Sequence, residues 1–503
     1  MNPELSNFSG TIKKIRTIGV VGAGTMGAAI TQKFAQEGFI VYLNDRDQQL
    51  VDNSIAGIKK VLDEAVERKI FKPEFVSKAL SKIRGTANQQ DLSVCDLIIE
   101  AVYENFDVKF KLFQALEKIV PVTTILATNT SSFSVTELSK AIANPERFIG
   151  LHYFYHAAKN RLVEIIPGDA TSPETFEAAR IFCKKTGKDA IVTKDVYGFA
   201  VNRFFVPWLN ESVKLLEEGL VTINQIDAVA MKLLGIGMGP FALMNATGVA
   251  ISLHAQNTLK DFGPSYAVAE LLKEQVKSGL NWEVTVDTNE YPSIEIERII
   301  TDRLLGSIFF VCTQILNENV CSAVELNRGA KIGLKWKYGP IDLMHRYGEE
   351  KVKELIDAYC KLRDEKIPHL LTVDQIRMEF VTLKIQGNKA IITIEKPEDL
   401  NVLNETIINK LDEKFTAADQ NKSISTIVIT VSGKAFVAGA DVKFFVNNMK
   451  SQHIDKIVSF TTHGHELFNR IDLSRKEVIV VLNGMALGGG MEQIGRATCR
   501  ERV

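Results

Sequence analysis

Three glycines carry the first chemistry in this chain. Gly22, Gly24 and Gly27 stand in the run IRTIGVVGAGTMG, Ile15 to Gly27, where a short apolar stretch ends in a Gly-x-Gly-x-x-Gly turn. Asp45 follows Gly24 by 21 residues and closes a second apolar stretch, Ile40-Val41-Tyr42-Leu43. This is the spacing of a dinucleotide site. Gly22 permits a tight turn, Gly24 lets backbone approach a pyrophosphate, and Gly27 allows a helix to pack closely on its strand. Thr25 and Met26 complete the turn, and the helix N-terminus offers unpaired N–H groups to phosphate. Asp45 can accept both hydroxyls of an adenosine ribose and repels a 2′-phosphate, which favours NAD over NADP. Arg46 beside it softens that preference.

A second group can move a proton. His152 follows Phe148-Ile149-Gly150-Leu151, and Glu164 lies twelve residues on, inside the apolar run Leu162-Val163-Glu164-Ile165-Ile166. An unpaired carboxylate there is costly, and a histidine partner satisfies it. The carboxylate fixes the imidazole tautomer and raises its basicity, so the ring can remove a hydroxyl proton while hydride leaves carbon. A structural His–Glu pair fits these residues as well as a catalytic one, and His156 is a rival base.

The elements that must position these groups alternate. Strands are predicted at Ile15–Val21, Val41–Leu43, Leu97–Ile99, Ile125–Ala127, Ile149–His152 and Val163–Ile166, with a helix from the glycine turn to Glu37 and a helical pair over about 50–80. In an open α/β sheet, ligands sit beyond the carboxyl ends of the strands. Asp45, Glu104, Asn129, Ser131 and His152 all fall at or just past such ends. From about Gly198 to Leu370 the pattern is helical. There Gly239-Pro240-Phe241-Ala242-Leu243-Met244 returns 100 residues later as Gly339-Pro340-Ile341-Asp342-Leu343-Met344, which predicts a duplicated all-helical domain. At Val381 a β pattern begins, with two alternating runs about Gly387-Asn388.

Composition bounds the rest. The 503 residues exceed one compact domain, and a net charge of −1 gives no reason to propose nucleic acid or an anionic membrane as partner. No uninterrupted apolar run approaches a membrane span, and no membrane association is expected. The six cysteines form no CxxC pair and no metal-ligand cluster. Free thiols in a reducing, cytoplasmic setting and no metal are the expectation.

Six motifs together give residues 13 to about 375 a resemblance to the L-3-hydroxyacyl-CoA dehydrogenase family. They are GAGTMG (22–27), VYLND (41–45), IIEAVYEN (98–105), TNTSS (128–132), GLHYFYHAAKNRLVEIIPG (150–168) and GFAVNRFFVPWLNE (198–211). The resemblance implies His152 as catalytic base, Glu164 as its partner, Ser131 and Asn202 on the 3-oxygen, and Glu104, Lys109 and Asn129 lining the cofactor and substrate cleft. The chain departs from the family at Tyr155-His156, where Asn-Pro is common, and at Tyr197, where Pro is common. The helical domain of the family usually dimerises when present once. The second copy brings no second His–Glu pair and is expected to supply that contact within the chain, leaving a monomer or a homodimer.

Residues 381–492 resemble the enoyl-CoA hydratase (crotonase) superfamily, through KAIITIEKPEDLNVLNE (389–405), SGKAFVAGADVKFF (432–445) and VIVVLNGMALGGGME (478–492). This resemblance implies an oxyanion hole made by the N–H groups of Ala440 and Gly489, with Glu492 as one of two acid–base carboxylates. A second glutamate is expected about twenty residues further on, and the tail QIGRATCRERV does not resemble the helix expected there. The hydratase half is therefore expected to be incomplete, and a full-length one trimer-forming.

The expectation is an α/β protein. A Rossmann-type domain spans 13–196, helical copies span 197–292 and 293–375, and a partial crotonase-type ββα-spiral domain spans 381–503. The whole is similar to archaeal fusions of a crotonyl-CoA hydratase with a 3-hydroxybutyryl-CoA dehydrogenase. It implies NAD as cofactor and an acyl-CoA thioester of short chain as substrate. A non-CoA 3-hydroxy acid substrate and an isomerase role for the third region are the alternatives.

Overall fold

The computed structural model describes residues 14–285, 291–372, 374–433, 435–482, 484–490 and, as backbone, 499–502. Two compact units divide the chain. The first runs to Arg377 less Gly187–Asp189, and the second takes those three residues and the chain from Met378.

The first unit opens with β1 (Thr17–Val21), α1 (Thr25–Gln36), β2 (Ile40–Asn44), α2 (Gln48–Glu67), α3 (Pro73–Leu80), β3 (Ile83–Thr86), β4 (Leu97–Glu100) and α4 (Phe106–Glu117). It continues with β5 (Ile125–Thr128), α5 (Val135–Ser139), β6 (Phe148–Tyr153), β7 (Leu162–Pro167), α6 (Pro173–Lys185) and β8 (Asp189–Val192). The eight strands form one sheet in the order β3-β2-β1-β4-β5-β6-β7-β8. Strands β1 to β6 pair in parallel. Their near-continuous Val, Ile and Leu runs are buried between two helical layers, one cluster around Phe34 and Phe182 and the other around Phe113 and Phe148. Strands β3 and β8 are absent from the sequence-based strand list. Ile83-Arg84-Gly85-Thr86 is short and half polar, and neighbouring strands rather than its own periodicity make it a strand.

The order reverses between β1 and β4, the switch point where a crevice opens beyond the strand ends. Strand β7 runs antiparallel to β6, with His152 directly opposite Glu164.

The helical part repeats itself at a fixed offset. It comprises α7 (Val201–Glu217), α8 (Ile223–Leu234), α9 (Pro240–Thr247), α10 (Val249–Leu259), α11 (Glu270–Ser278), α12 (Ile294–Asn317), α13 (Ala323–Arg328), α14 (Pro340–Tyr347) and α15 (Glu349–Arg363). A π-turn, Gly329–Gly333, extends α13. Capping boxes start α8 at Thr222/Gln225 and α13 at Ser322/Glu325. Asp227 accepts from the Phe241 and Ala242 N–H groups, and Asn327 accepts from those of Ile341 and Asp342. A Cβ on Gly239 would meet Asp227, and one on Gly339 would meet Asn327, so both turns require glycine. Each of these pairs is 100 residues apart, so the repeat extends from the Gly-Pro motif to its capping chemistry.

The two copies are tied by charge. Buried Glu211 on α7 takes Arg303 at 2.9 Å and Arg363 at 2.5 Å, and Glu218 binds both guanidiniums. Helix α12 is long and apolar enough to cross a membrane, which the sequence reading missed because scattered charges interrupt it. In the fold, 67% of its apolar window is buried inside the protein, and it packs on α7, α8 and α15.

The second unit comprises β9 (Val381–Gln386), β10 (Lys389–Ile394), α16 (Glu405–Gln420), β11 (Thr426–Val431), β12 (Ala435–Ala438), α17 (Val442–Lys450), α18 (Ile454–Asp472), β13 (Glu477–Leu482), β14 (Met485–Leu487) and β15 (Cys499–Arg502). Five strands form the sheet β15-β13-β11-β10-β9, and β12 pairs with β14 apart from it. In the β9–β10 hairpin Gly387 takes φ +59 at the first turn position, the place where a Gly-first two-residue turn needs it.

Candidate active site

The glycine turn leaves β1 at the switch point. Gly22, at φ +111, donates its N–H to the Asn44 carbonyl, and a Cβ there would stand 2.4 Å from the Ala101 oxygen. A Cβ on Gly27 would stand 1.8 Å from the Gly22 oxygen, so helix and turn touch backbone to backbone. Gly24 is different. A Cβ on it would meet nothing within 4 Å, so the missing side chain leaves open space at the start of α1. No side chain caps that helix, whose first turn carries Thr25 and Met26. Asp45, at the end of β2, accepts from the Ala23 N–H at 2.7 Å through one oxygen and from the Arg46 N–H through the other. An uncapped helix N-terminus, open space at Gly24 and a carboxylate on the turn fit the pyrophosphate and ribose of NAD.

His152 and Glu164 meet across β6 and β7. Nδ1 of the imidazole lies 2.7 Å from Oε2 of the carboxylate. A carboxylate only accepts, so Nδ1 carries the proton and Nε2 keeps its lone pair for substrate. The other oxygen, Oε1, accepts from the backbone N–H groups of Ala200 at 3.1 Å and Val201 at 3.0 Å. Glu164 is fully buried and also caps α7, whose N-terminus has no cap of its own. The Phe154 and Phe199 rings flank the imidazole, at 4.6 and 5.8 Å between centroids. The chain reaches α7 through Gly198 and Phe199, both at positive φ, which is costly for phenylalanine and is held in place by these contacts. Asn202 follows in the first turn of α7, half-buried.

A third cluster lies at the ends of β4 and β5. Glu104 receives the Thr130 hydroxyl, the Ser131 and Ser132 N–H groups and the Ser132 hydroxyl on one oxygen. Its other oxygen lies 3.1 Å from the Lys109 ammonium. Burial alone would raise the Glu104 carboxyl, but the Lys109 charge and the donors from Thr130, Lys109 and Ser131 outweigh it and hold it below the usual range. Lys109 also reaches Glu100, at 2.5 Å, and Glu100 takes the Thr128 hydroxyl. Asn129 accepts the Tyr153 N–H at 2.8 Å, linking this loop to the residue after His152.

Glu100 was missed by sequence reasoning. It ends the apolar run Leu97-Ile98-Ile99-Glu100, and a carboxylate closing such a run at a strand end is the signal that marks it. His156, the rival base, lies outside the Glu164 network. It is exposed at φ +61, and burial of its ring, then Lys159, lowers its proton affinity. Tyr155 and Tyr197 are both exposed. Among the described residues no His, Cys, Asp and Glu group is arranged to hold a metal ion.

In the second unit, the ends of β12 and β14 bring Ala440 and Gly489 close in the chain path. Ala438 pairs with Leu487, and Gly439 and Gly488, both at positive φ, follow side by side. The Leu403 N–H donates to the Gly439 oxygen and the Asp441 N–H to the Leu403 oxygen, which turns the Ala440 N–H to the opposite edge. Glu492 lies outside the described residues.

Comparison with known proteins gives three family matches. The model described as 3-hydroxyacyl-CoA dehydrogenase, NAD binding domain, matches residues 17–196, and that family's C-terminal domain matches 198–286. The model described as enoyl-CoA hydratase/isomerase matches residues 389–500. A 3-hydroxybutyryl-CoA dehydrogenase of Bradyrhizobium diazoefficiens is 38% identical over 268 residues, 53% of this chain and 91% of that one. The solved (S)-3-hydroxybutyryl-CoA dehydrogenase of Ralstonia eutropha is 35% identical, with a TM-score of 0.52 over 54% of this chain and 96% of that one. The solved 3-hydroxybutyryl-CoA dehydrogenase of Escherichia coli shares the fold over 72% of this chain and 98% of that one, at 22% identity and a TM-score of 0.66.

Proposed function

The chain belongs to the 3-hydroxyacyl-CoA dehydrogenase family, and we propose that it oxidises (S)-3-hydroxyacyl-CoA, short-chain substrates such as 3-hydroxybutyryl-CoA foremost, to 3-ketoacyl-CoA with NAD. The observation that carries this reading is the His152–Glu164 contact, on the same sheet as the glycine turn. NAD, held by the glycine turn, the α1 N-terminus and Asp45, would supply the acceptor for the hydride of C3. His152 Nε2 takes the hydroxyl proton as the carbonyl forms, and Glu164 stabilises the imidazolium that results. Ser131 and Asn202 hold the 3-oxygen, and the Glu104–Lys109 cluster with Asn129 fixes the loop that presents Ser131.

The second unit supports a second reading, addition of water to a trans-2-enoyl-CoA. The glycine-bounded convergence of Ala440 and Gly489 fits a thioester oxyanion. A double-bond isomerase would use the same hole. We place this chemistry in the cytoplasm, in keeping with Cys95, Cys183, Cys312, Cys321 and Cys360, none of which is in a disulfide.

The test compares NADH production from (S)-3-hydroxybutyryl-CoA, free 3-hydroxybutyrate and crotonyl-CoA. Turnover of the hydroxy thioester and not of the free acid is expected. Preference for the free acid would refute the thioester reading. NADH from crotonyl-CoA would show that the second unit hydrates.

A further inference from the structure

We propose that the second helical copy is a positioning element for the His152–Glu164 pair, acting through Gly329 of its π-turn. This rests on the dehydrogenase reading above. Oε1 of Glu164 is held by the N–H groups of Ala200 and Val201, so the place of the carboxylate depends on where α7 begins. The Val201 side chain packs against Gly329, with no room left between them for a side chain. A Cβ on Gly329 would stand 2.5 Å from Val201 Cγ2 and 3.3 Å from Ile191 Cδ1. Valine has one stiff χ1 in a helix and cannot swing away, so a side chain added at Gly329 would push on the backbone of α7.

The same π-turn braces the strand that carries Glu164. A Cβ on Gly333 would stand 2.4 Å from Leu162 Cδ2, and the Asn160 side-chain amide donates to the Gly333 carbonyl at 2.8 Å. Ahead of it, Glu325 accepts the Val192 N–H at 2.9 Å at the end of β8. Cys321 is near enough to Glu164 for the carboxylate to add to the rise of its thiol pKa, after burial and Glu325. The π-turn thus packs on both supports of one carboxylate, the start of α7 and strand β7. A π-bulge inserts one residue into a helix and recurs where a helix must present an irregular surface. Here it places glycines where the two supports leave no room for a side chain. The second copy, which carries no His–Glu pair, in this way sets the geometry of the pair in the first.

The experiment uses the full chain with (S)-3-hydroxybutyryl-CoA and NAD, wild type first. Absence of wild-type turnover would defeat the functional reading and leaves nothing for Gly329 to position. With turnover established, Gly329→Ala is expected to lower kcat on the order of tenfold, since small displacements at a reacting group are expensive. NADH binding, followed by its fluorescence, is expected to stay unchanged. Val201→Ala in the Gly329→Ala background removes the clashing methyl and should restore kcat. Unchanged kcat in Gly329→Ala would overturn the proposal. So would a loss of kcat that Val201→Ala fails to reverse, or one matched by an equal loss of NADH binding.

Discussion

Glu164 Oε2 accepts from His152 Nδ1 at 2.7 Å while Oε1 accepts from the Ala200 and Val201 N–H groups, so one buried carboxylate both orients the His152 imidazole and caps the helix that carries Asn202. Each oxygen faces donors, which only a carboxylate can satisfy. Glu164→Gln must turn an NH2 group toward the imidazole or toward the helix. It is expected to cost about 1–3 kcal/mol of stability for the unsatisfied donors and to lower kcat by about a hundredfold. Denaturant titration and steady-state kinetics on the same preparation check both.

His152→Gln removes the proposed base and keeps the fold. NAD affinity should be unchanged and kcat should fall by orders of magnitude. An unchanged kcat would sink the assignment of His152.

On the proposed reading Asp45 selects NAD over NADP. Asp45→Ser removes the charge that repels a 2′-phosphate and leaves Arg46 beside it. The ratio of kcat/KM for NADP over NAD is expected to rise about tenfold or more. A ratio that stays at the wild-type value would show that Asp45 does not face the ribose.

Lys109 neutralises two carboxylates, Glu100 fully buried and Glu104 largely so. Lys109→Met leaves both without a cation, and a loss of about 3–5 kcal/mol is expected, as for other buried pairs broken on one side. The Glu104 carboxyl is depressed in the folded chain. Its stabilisation is therefore complete above the unfolded carboxylate pKa of about 4.3 and is lost as pH falls through the lower folded value. Glu104→Gln should flatten the fall of Tm on the acid side of about pH 4.5 relative to wild type.

Lys214 is a buried ammonium that donates to the Ser265 carbonyl at 3.0 Å. Burial, offset in part by Glu211 and reinforced by Arg363, pushes it down to about 8. The unfolded chain holds this proton to about pH 10.4. Between those values the unfolded state binds more protons, so stability rises with pH across the window, and the full penalty applies below it. Lys214→Met should stabilise the chain at pH 7 by about 1–2 kcal/mol after the lost hydrogen bond is counted, and should remove the slope above pH 8. A destabilised variant at pH 7 would contradict this.

Local sequence determined much of the active-site half. The strand–turn–helix around Gly22, Gly24 and Gly27 is legible because glycine type and spacing are themselves the backbone constraint. The 100-residue repeat is legible because each Gly-Pro turn must sit on a capping residue, Asp227 or Asn327. His152 and Glu164 are legible as candidates, since an ionisable residue inside an apolar strand demands a partner. Tertiary structure alone decided which partner. His156 competes with His152 on sequence, and only the antiparallel register of β6 and β7 places His152 opposite Glu164. Glu100 stayed hidden because its partners Lys109 and Thr128 come from other elements. The second copy reads as a bare repeat, and the close packing of Gly329 on Val201 is a contact across more than a hundred residues that no local periodicity encodes. Short-range sterics and patterning fix elements. Packing between elements fixes which polar groups meet, and at this site the meeting of those groups is the chemistry.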